Sequence, residues 1–193
     1  MSQPARDYSK NPPEVEAAFH AAPAECVAEI LDGELFVQPR PRYRHARATS
    51  RLGGDLAGFD REGTGGPGGW IILFEPELHL GPRPDRMVPD LAGWRRERMP
   101  ELPDVGATDL APDWVCEVIS EGTEVIDRTK KRRIYAREGV GHLWFVSPER
   151  KMLEVFRLEG GRWLLIETFE GDALVRAEPF DAIELHLGRL WER

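Results

Sequence analysis

Residues 114–147 read as an apolar strand, a charged helix and a second apolar strand. The first strand is W-V-C-E-V-I-S, the helix lies within T-E-V-I-D-R-T-K-K-R-R-I-Y-A-R-E-G-V, and the second strand is H-L-W-F-V-S. Two apolar strands joined through one helix predict parallel neighbours linked by a right-handed crossover. That unit needs a sheet with a helix on its face, so an all-helical bundle and an all-antiparallel sandwich are both excluded. The helix is expected over 123–138, with Thr123 able to cap it, Glu124 suited to its first turn and Gly139 just past its end.

The rest of the chain adds strands around this unit. C-V-A-E-I-L and E-L-F-V flank Asp32-Gly33, a strong hairpin signal, so Cys26–Leu31 and Glu34–Val37 should pair antiparallel. Residues 43–60 have helical patterning, weakened by Gly53-Gly54. W-I-I-L-F, E-L-H-L and M-V-P-D-L-A-G-W read as strands, and 95–112 as a long surface loop. M-L-E-V-F-R-L, a Gly-Gly turn and R-W-L-L-I-E-T-F form a C-terminal antiparallel meander. The expected class is therefore α/β: one central mixed sheet flanked by helices, with an N-terminal hairpin and a C-terminal meander. Residues 1–13 read as a flexible arm and 14–193 as a single domain. The glycine-rich run at 62–69 lacks G-K-S or G-K-T and is a loop rather than a phosphate cradle.

A formal charge of -8 argues against a chain that coats nucleic acid nonspecifically, but it permits local basic patches. Two such patches are present, K-K-R-R at 130–133 and P-R-P-R-Y-R-H-A-R at 39–47. No apolar run reaches the ~20 residues needed to span a bilayer, and the N-terminus is not a signal peptide. The two cysteines, Cys26 and Cys116, sit singly in apolar runs, as free thiols do in a cytoplasmic protein.

Two acids stand out because they interrupt apolar strands. Glu117 shares one face of its strand with Val115 and Ile119, while Cys116 and Val118 form the other, so the carboxylate has no route to solvent. Asp90 follows Pro89, where a ladder is interrupted and a side chain can be re-aimed. A carboxylate in an apolar strand is costly unless something pairs with it. Two of them on separate strands point to a hard cation such as magnesium. On the following helix Asp127, Lys131 and Tyr135 are spaced four apart and share a face. A lysine beside two metal-binding carboxylates can orient an attacking water or stabilise a charged transition state. Taken alone, Asp127 reads as a first-turn acid favoured by the helix dipole, Tyr135 as packing, and Glu77 as part of an ordinary half-buried strand.

These pieces together resemble the Uma-two family of bacterial restriction endonucleases, within the PD-(D/E)XK nuclease superfamily. The matching stretches are I-L-D-G-E-L at 30–35, His45, E-P-E-L at 75–78 and V-P-D-L-A-G-W at 88–94. E-V-I-S at 117–120, D-R-T-K-K-R-R-I-Y-A-R-E-G-V at 127–140 and H-L-W-F-V-S-P at 142–148 complete them. The resemblance implies a restriction-endonuclease-like fold and a magnesium-dependent endonuclease site, with manganese as a substitute ion and DNA as substrate. Asp90 and Glu117 then become metal ligands and catalytic acids. The lysine of the superfamily motif, expected two residues after Glu117, is replaced by Ile119, so its role passes to Lys131 on the helix, with Lys130 as alternative. Glu77, His45, Glu34 and Tyr135 complete the candidate set. A second reading, prompted by the displaced lysine, is a nuclease-fold binding or assembly module with an inactive site. Apolar strands in the meander suggest a symmetric homodimer in either case.

Overall fold

The computed structural model describes residues 10–60 and 66–192. The arm over 1–9 and the first half of the glycine-rich loop, 61–65, lie outside the described residues. Pro13 opens helix α1 (Pro13–His20), with Glu14 and Glu16 in its first turn. The hairpin forms as its turn chemistry demands. β1 (Cys26–Leu31) and β2 (Glu34–Pro39) pair with Leu31 opposite Glu34, and Asp32 and Gly33 both adopt positive φ, 54° and 80°.

After the hairpin come α2 (Tyr43–Asp60), β3 (Trp70–Phe74), β4 (Glu77–Leu80), β5 (Asp85–Met87), β6 (Leu91–Arg95), β7 (Ala107–Thr108) and β8 (Trp114–Val118). A composite helix then runs from α3 (Glu124–Ile126) through a π-helical turn (Asp127–Lys131) into α4 (Arg132–Arg137). β9 (His142–Ser147), β10 (Met152–Glu159) and β11 (Arg162–Glu170) follow. The short pair β12 (Leu174–Val175) and β13 (Leu185–His186), with α5 (Gly188–Trp191), closes the chain.

The predicted crossover is present: β8 and β9 run parallel, with Trp114 opposite His142 and Glu117 opposite Phe145. They are the centre of a six-stranded sheet ordered β11-β10-β9-β8-β6-β3. The expected central mixed sheet is present, but it is not the sole sheet among the described residues. The hairpin does not stand alone but joins β5, β4 and β7 in a second, five-stranded sheet ordered β2-β1-β5-β4-β7. The supposed loop 95–112 supplies β7, which pairs parallel with β4.

The chain changes sheet five times, and two of these passages are short crossings that carry proline. It leaves β3 for β4 at Glu75-Pro76 and leaves β5 for β6 at Val88-Pro89-Asp90. Proline at each crossing fits, because a residue without an N–H cannot continue a ladder. The crossings are adjacent: the Glu75 N–H donates to the Asp90 carbonyl at 3.1 Å. Glu75 is held at φ 46°, a conformation that costs a non-glycine residue energy and clusters at functional sites.

Alternation along β8 and β9 divides the core. Trp114, Cys116, Val118, Trp144 and Val146 face α2 and Phe180 on one side of the six-stranded sheet. Val115, Leu143 and Phe145 face Ile134, Tyr135 and the apolar residues of the five-stranded sheet on the other. Glu117 has the parity of Val115, so its carboxylate points between the sheets, toward the composite helix.

Candidate active site

Four elements converge on a cavity of about 60 Å³ at the seam between the sheets. β1 supplies Glu29, the second crossing supplies Asp90, β8 supplies Glu117, and the π turn supplies Asp127 and Lys131; all line the cavity. Asp127 and Lys131 are the buried residues of that turn, and π turns of this kind recur at functional sites.

Lys131 is the centre of the cluster. Its ammonium lies 3.0 and 3.1 Å from the two Glu117 oxygens, 3.1 Å from Glu29 Oε1 and 3.5 Å from Asp127 Oδ1. The Tyr135 hydroxyl donates to Glu117 Oε1 at 2.5 Å. Glu29 Oε1 also accepts the Val88 N–H at 2.8 Å, tying the five-stranded sheet to the crossing that presents Asp90. Asp90 Oδ2 accepts the Val118 N–H at 2.7 Å, and its Oδ1 meets His45 Nε2 at 3.2 Å. His45 Nδ1 is buried with no hydrogen-bond partner.

Burial pushes the Glu117 carboxyl well above the usual carboxylate range. Lys131 opposes that shift, while Asp127, Asp90 and Glu29 reinforce it. Asp127 is raised for the same first reason, burial, against the pull of Lys131. For Lys131, burial acts to lower the pKa, but the surrounding acids outweigh it and hold the ammonium protonated. Tyr135 is raised well above its ordinary range, first by burial and then by Glu117, so its hydroxyl stays a donor.

His45 provides a direct pH readout. Burial lowers its pKa, but the hydrogen bond and charge of Asp90 more than compensate, and the net shift is upward from 6.5. A raised folded-state pKa gives stability that is fully present below the unfolded value and lost as pH rises through the folded one. We expect the His45 ring, followed by NMR, to titrate above 6.5 in the wild-type chain. In Asp90→Asn it should fall, because burial persists and the Asp90 charge does not. An unchanged midpoint in the variant would show that the pair is not coupled.

Of the residues singled out from sequence, Asp90, Glu117, Lys131 and His45 line the cavity, and Tyr135 reaches it through Glu117. Lys130 does not: its ammonium pairs with Glu34 at 2.7 Å, which takes both residues away from the buried acids. Glu77 is engaged with His79 at 2.6 Å on β4, and Glu75 of the same E-P-E-L motif lines the cavity instead. Asp127 is not a solvated first-turn acid, being buried against Lys131. Thr123 makes no side-chain cap; its hydroxyl is 3.1 Å from that of Ser120. Glu29 was missed, although C-V-A-E-I-L carries the signal that marked Glu117, an acid inside an apolar strand.

The donor chemistry fits a hard divalent cation. Glu29, Asp90, Glu117 and Asp127 face one lysine, an excess of oxygen ligands and negative charge that such an ion would balance. Among the described residues, however, no group of three or more His, Cys, Asp or Glu is gathered closely enough to hold a metal. Lys131 occupies the centre that the acids share.

Comparison with known proteins agrees with this architecture. A family model described as Uma2, putative restriction endonuclease, matches residues 16–188. Among solved structures, the chain is similar to a putative nuclease belonging to DUF820 from Anabaena variabilis. The TM-score is 0.71 at 21% identity, covering 90% of this chain and 94% of that one. No curated protein matches. Among the described residues, no helix is long and apolar enough to cross a membrane.

Proposed function

We propose that this chain, which belongs to the Uma2 family of putative restriction endonucleases, is a metal-dependent endonuclease that hydrolyses DNA phosphodiester bonds. One observation carries the reading: Lys131, from the helix after β8, stands within 3.1 Å of both Glu117 oxygens in the cavity that Asp90 also lines. This contact supports reading Lys131 as the counterpart of the lysine missing two residues after Glu117.

Asp90 and Glu117 would hold magnesium, or manganese in its place. Such an ion supplies charge neutralisation and a bound water of lowered pKa. The chain's own groups set the geometry. The Val118 N–H and His45 orient Asp90, and Tyr135 orients Glu117. In hydrolysis a water oxygen bonds to phosphorus, the bond from phosphorus to one sugar oxygen breaks, and that oxygen leaves with a proton. Lys131 is placed to stabilise the negative charge that develops on the phosphoryl oxygens.

The test is plasmid cleavage in manganese, wild type against Asp90→Asn, with EDTA as the metal-free control. Cleavage should vanish in EDTA and fall at least ~10²-fold in the variant. A variant that cuts at the wild-type rate would remove Asp90 from the site and the reading with it.

A second reading, a binding or assembly module with an inactive site, is favoured by one feature: both Glu117 oxygens are already engaged by Lys131. It predicts no metal-dependent turnover of any nucleic acid. For either reading, the outer edge of the six-stranded sheet is the seat we assign to a homodimer. β11 leaves Leu164 and Leu165 about half exposed along an unpaired nine-residue edge.

A further inference from the structure

The two glycines that weaken α2 differ in their surroundings. Gly54 is exposed, and a Cβ there would meet nothing within 4 Å. Gly53 is buried, and the ring of Phe74, the last residue of β3, lies against its bare backbone. A Cβ on Gly53 would overlap the ring's Cζ and stand 2.6 and 2.9 Å from its two Cε atoms. Alanine suits a helix interior better than glycine does, but only glycine lets the ring sit this close.

The contact lies on the stripe of α2 that reaches the cavity. His45, Thr49 and Gly53 are spaced four apart and share a face. Thr49 is buried, and its hydroxyl donates to the His45 carbonyl at 3.1 Å. About 12 Å of helix axis separates His45 from Gly53. At one end of the stripe His45 Nε2 meets Asp90 at 3.2 Å. At the other, Gly53 meets Phe74. Those two partners are themselves joined. Phe74 pairs with Leu91, the residue after Asp90, and Glu75, the residue after Phe74, donates its N–H to the Asp90 carbonyl at 3.1 Å. α2 thus rests on the crossing at two points, and the ring is one of them.

We propose that Gly53 and Phe74 are positioning residues: the ring, seated on the bare helix, fixes the distance from α2 to the crossing and so the approach of His45 to Asp90. What this means for catalysis rests on the nuclease reading above; the spacing can be measured without it. A methyl on Gly53 would push the ring, and the end of β3 with it, away from α2. The displacement would pass through the hydrogen bond between Glu75 and Asp90 to the carboxylate. A misplacement of about 1 Å can cost on the order of 10²-fold in rate.

The experiment compares Gly53→Ala, Gly54→Ala, Phe74→Ala and the exchange pair Gly53→Ala with Phe74→Leu. Leucine ends short of the Cε and Cζ atoms that a Cβ on residue 53 would strike, so the pair returns the room that the methyl takes. Each full-length protein is checked by circular dichroism. The His45 ring is then followed by NMR at one fixed pH without metal, and plasmid cleavage in manganese is measured beside it. Gly53→Ala and Phe74→Ala should both move the His45 ring signals and lower kcat about 10²-fold, with KM for plasmid unchanged. Gly54→Ala should keep the wild-type signals and rate and raise Tm by about 2–4 °C. The exchange pair should bring signals and rate back toward wild type. Where Gly53→Ala does not fold, Phe74→Ala decides, since that side chain is 53% exposed and its loss seals no cavity. A folded Phe74→Ala protein with wild-type His45 signals and cleavage overturns the proposal. So does an exchange pair as impaired as a folded Gly53→Ala. The two readings fail separately. Manganese-dependent cleavage with His45 signals indifferent to Phe74 overturns this inference alone. His45 signals that move with Phe74, in a protein whose wild type never cleaves, uphold it and overturn the nuclease reading.

Discussion

Lys131→Met should lose about 3–5 kcal/mol of folding stability at neutral pH, the cost of leaving a buried charge cluster without its counter-ion. Lys131 is 4% exposed and its ammonium touches Glu117, Glu29 and Asp127, so no solvent replaces it. The effect has a definite pH signature. Burial already raises Glu117 and Asp127, and Lys131 is what opposes that rise. Without it, both folded-state pKa values climb further. A carboxyl raised in the folded state gives stability that is complete below its unfolded value and is lost as pH rises through its folded one. The variant should therefore approach wild-type stability toward pH 5 and fall furthest behind near pH 8. Urea unfolding followed by tryptophan fluorescence at these two values measures it. Equal midpoints at pH 8 would mean that the lysine does not balance the cluster. The double variant Lys131→Met with Glu117→Gln should recover part of the loss, since it removes a charge along with its partner.

Glu117→Gln separates chemistry from folding. The amide keeps the size of the side chain and an oxygen to accept the Tyr135 hydroxyl, and Lys131 retains Glu29 and Asp127. Circular dichroism should therefore match wild type. Manganese binding, read by calorimetry, should disappear, and plasmid cleavage should fall on the order of 10³-fold. A folded variant that still binds manganese and cuts would show that Glu117 is a structural partner of Lys131 and nothing more. Loss of cleavage with binding retained would move metal ligation to Asp90 and its neighbours.

The crossover was readable because strand and helix differ in period, and Glu117 because an acid is conspicuous among apolar neighbours. The same rule applied to C-V-A-E-I-L would have found Glu29. It was overlooked because a hairpin strand is normally half solvated, and its carboxylate here meets Lys131 and the Val88 N–H, both distant in sequence. The second sheet was hidden for a reason of its own. β5 and β7 are too short to show a period, and M-V-P-D-L-A-G-W reads as one strand although its ends lie in different sheets. Lys131 could not be told from Lys130 by composition. The helix turns one toward Glu117 and the other toward Glu34, a choice of phase that becomes visible only once β8 is in place. Asp127 looked like a first-turn acid because a π turn has no signature in the residue pattern.

The adjacent crossings at Glu75-Pro76 and Val88-Pro89-Asp90 stitch the two sheets together side by side, and the acids are distributed across that stitch. Glu29 belongs to one sheet, Glu117 to the other, and Asp90 to the thread between them. A substitution deep in the hairpin, far from any acid, is then felt as a change in spacing between carboxylates. The arrangement resembles a caliper: one sheet carries Glu29, the other carries Glu117, and the gap between the sheets sets the distance between the two carboxylates.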